Sequence, residues 1–319
     1  MFSVKVKGGD LVWEKNESLI IGAGEVRIRV HATAVNRADL MQRKGLYPPP
    51  PGASDVLGLE CSGEVIEVGN NVDSFEVGDL VCALLSGGGY SEEVVVPAGQ
   101  VLAIPKGMNV VTAAAIPEVF ATAYMNLYME AGLTLGEHVL IHAAGSGVGT
   151  AAIQLCRITK NPCFVTVGND EKLEKCVALG AERGWNRSRG SFVSAVRQWA
   201  PVDVVLDLVG ASFFSDNLEV LDIDGRLCLV GLLGGASTEI DLASVLMKRN
   251  KLIGSTLRGR SIPKKSLVME GLYDQFWNAF ETQEISPVVH EIIPIKDVKE
   301  AHELVAENKT FGKVILRVI

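Results

Sequence analysis

The stretch His142-Ala143-Ala144-Gly145-Ser146-Gly147-Val148-Gly149 carries the densest chemical signal in the chain. It joins an apolar, strand-like run (HVLIH, 138–142) to a helix-compatible one (TAAIQLCRI, 150–158). Unpaired backbone N–H groups at a helix N-terminus attract a pyrophosphate, and small side chains let it approach. Strand, glycine turn and helix in this order are what a dinucleotide site requires. Against the pattern G-x-G-x-x-G the fit is partial: Ala144 and Ser146 fill the first two glycine places and Gly149 the third. A tight strand-to-helix turn without a ligand is the bland alternative. The strands and helices that alternate downstream weigh against it.

About twenty residues further on, a dinucleotide fold that takes NAD carries an acid to grip the ribose 2′-hydroxyl. Here the residues are Val167-Gly168-Asn169-Asp170-Glu171-Lys172. Gly168 stands where the acid is expected, which leaves room for a 2′-phosphate and removes its repulsion. Lys172 and Arg187 are candidate cations for that phosphate, with a solvated helix surface as the plain alternative for Lys172. A shift of one or two residues in this register would make Asp170 an NAD-type acid. The expectation is NADPH.

Around these residues the chain divides in two. The first hundred residues hold short Val- and Ile-rich segments, such as 25–35 and 61–69, punctuated by Gly, Asn and Asp, a spacing that predicts a twisted, largely antiparallel β domain. Near Thr112 long apolar helical stretches begin to alternate with strands expected at 138–142, 163–167, 203–208, 226–231 and 252–256, with a weaker one at 183–186. That alternation predicts a doubly wound parallel sheet of six strands with helices on both faces. From about Ser261 the tail reads as a helix (266–281), the strand-like HEIIPI, the helix KDVKEAHELVAEN, and GKVILRVI, a β run expected to return to the first domain's sheet. The domains are therefore 1–112 with 261–319, and 113–260.

Composition narrows the partners. Thirty basic and thirty-eight acidic residues give a net charge of -8 in 319 residues, with no long Lys/Arg run, so a nucleic-acid or anionic-lipid footprint is not expected. The six cysteines form no C-x-x-C pair. A reduced, cytoplasmic chain is the simplest account. Neither a secretory signal nor a membrane span is evident.

Several long strings resemble the zinc-independent quinone oxidoreductases of the medium-chain dehydrogenase/reductase superfamily, most of all their tumour-suppressor-inducible branch. They are Asn36-Arg37-Ala38-Asp39-Leu40-Met41-Gln42-Arg43, PPPPGAS (48–54), Leu57-Gly58-Leu59-Glu60, residues 83–89, Ala113-Ala114-Ala115-Ile116-Pro117-Glu118, the HAAGSGVGTAAIQL run and Gly312-Lys313-Val314-Ile315-Leu316. The resemblance implies a GroES-like catalytic domain, a Rossmann domain, a homodimer, and NADPH bound in the cleft between the domains. It implies Ser146, Gly147 and Val148 at the pyrophosphate, Lys172 near the 2′-phosphate and Thr122 near the nicotinamide. The family commonly has tyrosine where this chain has Arg187, a departure that keeps or strengthens a cationic clamp.

Zinc-dependent relatives hold their metal with Cys, His-Glu and a second Cys. The corresponding places here are Asn36, Leu59-Glu60 and a position near Glu118, so the thiolate and imidazole ligands are missing and no metal is expected. Hydride delivery to a simple ketone builds an alkoxide that needs a Lewis acid or a proton donor. Quinones and conjugated carbonyls delocalise that charge themselves, which favours them as substrates. Tyr47 lies on a loop stiffened by Pro48 to Pro51, where its phenol would hydrogen-bond a substrate oxygen, relay a proton, or only wall the cleft. Asn36 would orient the substrate oxygen or the cofactor ribose, or stabilise a turn. Asp39 is expected to cap a helix rather than act as a base. Gly231-Leu232-Leu233-Gly234-Gly235 follows a strand at the ligand-binding edge of the sheet, either to meet the carboxamide or as a plain loop. The leading expectation is an NADPH-dependent reductase of ortho- or para-quinones. Reduction of 2-enones or enoyl thioesters is the alternative enzyme, and a non-catalytic NADPH- or RNA-binding role the alternative from another class.

Overall fold

The computed structural model describes residues 1–319. Two compact units emerge, Met1–Ala121 with Leu257–Ile319, and Thr122–Thr256.

In the first unit, β1 (Phe2–Lys7) and β2 (Asp10–Lys15) form an antiparallel hairpin. The larger sheet is built on β3 (Glu25–Ala34), in which Val26, Ile28 and Val30 are buried while Arg27, Arg29 and His31 lie less deeply. This alternation marks a strand with one face on a core. Next come the helix α1 (Arg37–Arg43), β4 (Glu60–Val68), β5 (Leu80–Leu84), β6 (Glu93–Pro97) and β7 (Val101–Ala103), followed by helices α2 (Val110–Ala113) and α3 (Pro117–Tyr124), the last turn of which, from Thr122, belongs to the second unit.

The second unit alternates as its periodicity predicts. Its elements are β8 (Val139–Ile141), α4 (Gly147–Ile158), β9 (Cys163–Val167), α5 (Asp170–Leu179), β10 (Arg183–Asn186), α6 (Val193–Trp199), β11 (Val202–Asp207), α7 (Ala211–Val220), β12 (Leu221–Leu229), α8 (Leu242–Lys248) and β13 (Lys251–Gly254). The six strands are parallel, in the order β10-β9-β8-β11-β12-β13. That is the Rossmann arrangement, whose order reverses next to the first strand. β9, CFVTV, is buried at all five positions, which is why it is apolar nearly throughout rather than alternating.

The chain then returns to the first unit with α9 (Ile262–Glu281), β14 (Val289–Pro294), α10 (Val298–Ala306) and β15 (Lys313–Arg317). α9 starts four residues earlier than expected because Pro263 suits a first turn, where its missing N–H costs nothing. The sheet runs β14-β15-β3-β4-β5-β7, with β6 also on β3. β15 pairs antiparallel with β3, so the terminal β run does join this sheet. The β14–β15 pair is its one parallel pair, made possible by the intervening α10 crossover. This is the GroES-like half. No helix is long and apolar enough to cross a membrane.

Candidate functional site

The second unit shows how its glycine turn is built. β8 ends at Ile141, the chain passes through Ala143 in the left-handed region (φ 49°), and Ser146 caps α4 by accepting a hydrogen bond from the Gly149 N–H at 3.1 Å. Ala144 and Gly145 are buried, and Ser146, Gly147 and Val148 are half-buried. The N–H groups of Gly147 and Val148 in the first turn have no acceptor within the chain, as helix geometry dictates. A Cβ on Gly149 would lie 2.5 Å from the Cα of Ala144 and 2.6 Å from its carbonyl oxygen. Only glycine therefore lets α4 pack this close to the turn. The cradle fits a pyrophosphate: free N–H donors, a positive helix end and no side chain in the way.

Beneath the turn a buried relay ties three strand ends together. The Asn217 amide donates to Asp207 Oδ2 at 3.1 Å, so its Oδ1, 2.6 Å from His142 Nε2, accepts from that nitrogen. His142 Nδ1 then accepts from the Thr166 hydroxyl at 2.8 Å, and burial keeps the imidazole neutral by lowering its pKa. Asp207 Oδ1 in turn accepts from the N–H groups of Val209 and Gly210. The loop after β12 packs on this corner. Gly234 donates to Val209 O at 2.7 Å, and a Cβ on Gly231 would lie 2.7 Å from Leu208 O. Leu232 and Leu233 are half-exposed on that loop, and Leu232 also lines a cavity of about 300 Å³ with Gly210, Phe214 and Thr238.

The strand β9 ends at Val167, so Gly168 is the first residue beyond it and the register of the sequence reading holds at this point. A Cβ on Gly168 would meet only Arg187, 3.8 Å from both Nε and Nη2. The guanidinium of Arg187 has no ion-pair or hydrogen-bond partner in the chain. Lys172 lies close enough to Arg187 for the two charges to feel each other, although burial is the larger cause of its lowered pKa. Asn169 caps α5 through its bond to the Lys172 N–H, 2.8 Å. Asp170 is turned away from this cation pair: its oxygens accept from Asn186 Nδ2 at 3.0 Å and Arg189 Nη2 at 2.8 Å. Those partners, Asn186 first, hold its carboxyl below the usual range.

In the first unit, Asn36 precedes α1 and its side chain is fully used. Its Oδ1 accepts from Lys313 Nζ at 2.7 Å, and its Nδ2 donates to Glu60 Oε1 at 2.8 Å and to Ala34 O at 3.3 Å. Lys313 also reaches Glu60 Oε1 at 2.7 Å and Val35 O at 2.9 Å. Asp39 caps α1 from the inside, accepting from the Asn36 N–H at 2.8 Å and the Gly58 N–H at 2.9 Å. Tyr90 donates to it at 3.2 Å and stands 3.1 Å from His302. Burial nevertheless pushes Asp39 up to about 6.

Tyr47 packs against Arg258, whose guanidinium carbon is 5.3 Å from the ring centroid and whose Nη1 donates to the Tyr47 carbonyl at 3.3 Å. The Tyr47 hydroxyl has no hydrogen-bond partner within the chain. Arg258 also donates to Ser86 O (2.8 Å) and Gln42 Oε1 (2.6 Å), and Lys265 to Ser86 Oγ. Thr122, on α3, is buried and its carbonyl accepts from Asn126 Nδ2 at 2.8 Å. The fold thus gathers Tyr47, Arg258, Lys265 and Glu118 in one charged cluster beside the Asn36–Glu60–Lys313 triad. Arg258 and Lys265 were not singled out by the sequence reading. The available signal was four cations, Arg258, Arg260, Lys264 and Lys265, around the start of α9 with no acid in its first turn.

Comparison with known proteins agrees with this architecture. Residues 22–106 match the family described as Alcohol dehydrogenase GroES-like domain, and residues 147–269 the one described as Zinc-binding dehydrogenase. The chain is 30% identical to "Quinone oxidoreductase-like protein 2" of Bos taurus over 296 residues, covering 92% of this chain and 84% of that protein. It is 31% identical over 312 residues to the human "Synaptic vesicle membrane protein VAT-1 homolog", covering 92% and 79%. The structure of Escherichia coli quinone oxidoreductase complexed with NADPH superposes with a TM-score of 0.88 at 25% identity, over the whole of both chains. The metal named in the second family description does not fit this donor set. The ammonium of Lys313 already lies within hydrogen-bond distance of Asn36, Glu60 and Val35, and a dication placed among them would meet a buried fixed cation. No three His, Cys, Asp or Glu side chains form a group able to hold a metal ion.

Proposed function

The chain belongs to the medium-chain dehydrogenase/reductase superfamily and is an oxidoreductase, and from that premise we propose that it reduces quinones with NADPH. The observation that carries the cofactor half is the pairing of Gly168 with an unpartnered Arg187 where an NAD site would hold an acid. In this reading Ser146, Gly147 and Val148 hold the pyrophosphate, with Ala144, Gly145 and Gly149 keeping the approach clear. Gly168, Asn169, Lys172 and Arg187 form the 2′-phosphate pocket. Thr122 and the backbone of Gly231, Leu232 and Leu233 flank the nicotinamide. NADPH, when bound, supplies the hydride.

The acceptor half draws on the names of the bovine and Escherichia coli relatives. Tyr47 walls the acceptor site and offers its unpaired hydroxyl to a substrate oxygen. Asn36, locked by Lys313 and Glu60, fixes the floor of that site rather than moving during turnover. A second reading, reduction of conjugated enones, is favoured by the unpartnered carboxyl of Glu118. Six free, buried cysteines support a reducing compartment such as the cytoplasm. A homodimer is supported by β13, which pairs on one side only, and by α8, where Leu242, Leu246 and Met247 are more than two-thirds exposed.

Initial rates of NADPH and NADH oxidation test the reading over ortho-quinones, para-quinones, simple enones and a trans-2-enoyl thioester, with and without a chelator. Chelator-insensitive, NADPH-selective quinone turnover is the expected result. Turnover of enoyl thioesters alone, or of no acceptor at all, overturns it.

A further inference from the structure

The cluster in the first unit contains three carboxyl groups, and the fold engages only two of them. Asp39 accepts from two backbone N–H groups and Tyr90. Glu60 accepts from Asn36, Lys313 and the backbone N–H of Glu118, the last at 2.9 Å to Oε2. The carboxyl of Glu118 accepts nothing. Its Oε2 is buried without a partner, and its other oxygen has none within the chain either. Glu118 is half-buried, so Oε1 stays open to solvent or a substrate, but an ionised carboxylate would leave the buried Oε2 without the hydrogen bonds that offset its desolvation, whereas a neutral acid loses far less. Burial, with the adjacent Glu60 and Asp39 adding to it and Lys313 and Arg258 opposing, pushes Glu118 up to about 8.

Two cations stand ready for the opposite charge state. Arg258 and Lys265 are each 4% exposed, yet neither forms an ion pair, and the groups they donate to are neutral oxygens. Glu118 acts electrostatically on both. It also acts on Tyr47, whose phenol is made a weaker acid by burial and then by Glu118. Thr122 lies one helical turn further along α3, on the same face.

Resting on the reductase reading above, we propose that Glu118 is the general acid that protonates the acceptor once hydride has been delivered. Bound NADPH would supply hydride, two electrons with one proton, and the acceptor that takes it up would become an anion. The O–H bond of Glu118 breaks and a new bond to hydrogen forms on that anion. The carboxylate left behind is stabilised by Arg258 and Lys265 and recovers its proton from water. A neutral acid therefore does here what a Lewis acid does in zinc-dependent relatives.

The test compares wild type, Glu118→Gln, Glu118→Asp and Tyr47→Phe over pH 5.5 to 10, each first shown to be folded by its thermal transition. With a conjugated enone, Glu118→Gln is expected to lower kcat by roughly 10² to 10⁴-fold, the usual span for loss of a general acid. It should also abolish the fall in kcat above about pH 8 and leave cofactor affinity unchanged. Glu118→Asp should restore part of the rate together with the alkaline limb, which a merely structural role would not do. Infrared difference spectra of wild type against Glu118→Gln at pH 7 should show the stretch of a protonated carboxyl. A Glu118→Gln enzyme that keeps its rate and its alkaline limb overturns the proposal, as does a limb lost in Tyr47→Phe instead, or a missing protonated band. If wild type oxidises neither nicotinamide with any acceptor, the reductase reading fails and the donor role falls with it. Wild-type turnover that persists undiminished in Glu118→Gln sinks the donor role alone.

Discussion

Replacing Gly168 with Asp tests the cofactor pocket at its most specific point. The position is sterically open, since a Cβ there has nothing within 4 Å except Arg187, 3.8 Å from Nε and Nη2. An aspartate carboxylate would pair with that guanidinium and occupy it. NADPH then loses a charge-assisted hydrogen bond of roughly 1.5–3 kcal/mol. It also meets a like charge, worth about 4 kcal/mol at 4 Å in a half-screened setting, most of which the new Arg187 pair offsets. A net loss of about 3 kcal/mol is a fall of roughly a hundredfold in NADPH affinity. NADH has no phosphate to repel and finds a new acceptor for its ribose hydroxyls, a gain of about 1 kcal/mol. The ratio of the two dissociation constants should therefore shift by roughly a thousandfold toward NADH. Nucleotide fluorescence titrations at fixed ionic strength measure it, since salt screens charges at these exposed residues. Equal losses for both nucleotides would refute the pocket, and so would an Arg187→Ala enzyme that binds NADPH as tightly as wild type.

Three further outcomes follow from the same geometry. Lys313→Met strands the fully buried Glu60 without its cation, and chemical denaturation should show a loss of about 3–5 kcal/mol, most of it recovered in the Lys313→Met/Glu60→Gln double variant; a single-variant cost under about 1 kcal/mol contradicts the triad. Asp39 is raised from 3.8 to about 6 in the fold, so its contribution to stability is fully present below pH 3.8 and is lost as pH rises through about 6, amounting to about 3 kcal/mol. The difference in unfolding free energy between wild type and Asp39→Asn should change by that amount between pH 4 and pH 7, and a flat difference speaks against it. The proposed homodimer predicts that Leu246→Glu combined with Met247→Glu halves the mass seen by light scattering; an unchanged mass, or a wild type that is already a monomer, contradicts the proposed interface on α8 and β13.

How much of this was visible beforehand depends on how local the determining interaction is. The Rossmann order of the second unit was legible because each of its elements is set by a short periodic run and joined by short turns. Gly149 could be read from the chain alone, because strand, turn and helix are contiguous and only glycine permits their close approach. Gly168 was legible in the same way, since it directly follows the apolar run of β9. The turn of Asp170 toward Asn186 and Arg189 was not, because those partners lie on and just after the next strand and approach only when the sheet assembles.

The charged cluster shows the other limit. Lys313 stands at a buried position of an otherwise apolar terminal strand, an oddity visible in GKVILRVI, but its partners Asn36 and Glu60 lie more than 250 residues away. Arg258 meets Ser86, Tyr47 and Gln42 across 172, 211 and 216 residues. The sequence by itself determined the strand-helix alternation of the second unit, its glycine turn and the absence of an acid at Gly168, since each is written in short contiguous runs. Which carboxylates are satisfied and which cations lack a counterion is decided only by the tertiary structure. Hydrogen-bond satisfaction and desolvation depend on groups brought together through space, and no spacing along the chain encodes the environment that leaves the Glu118 carboxyl without a partner.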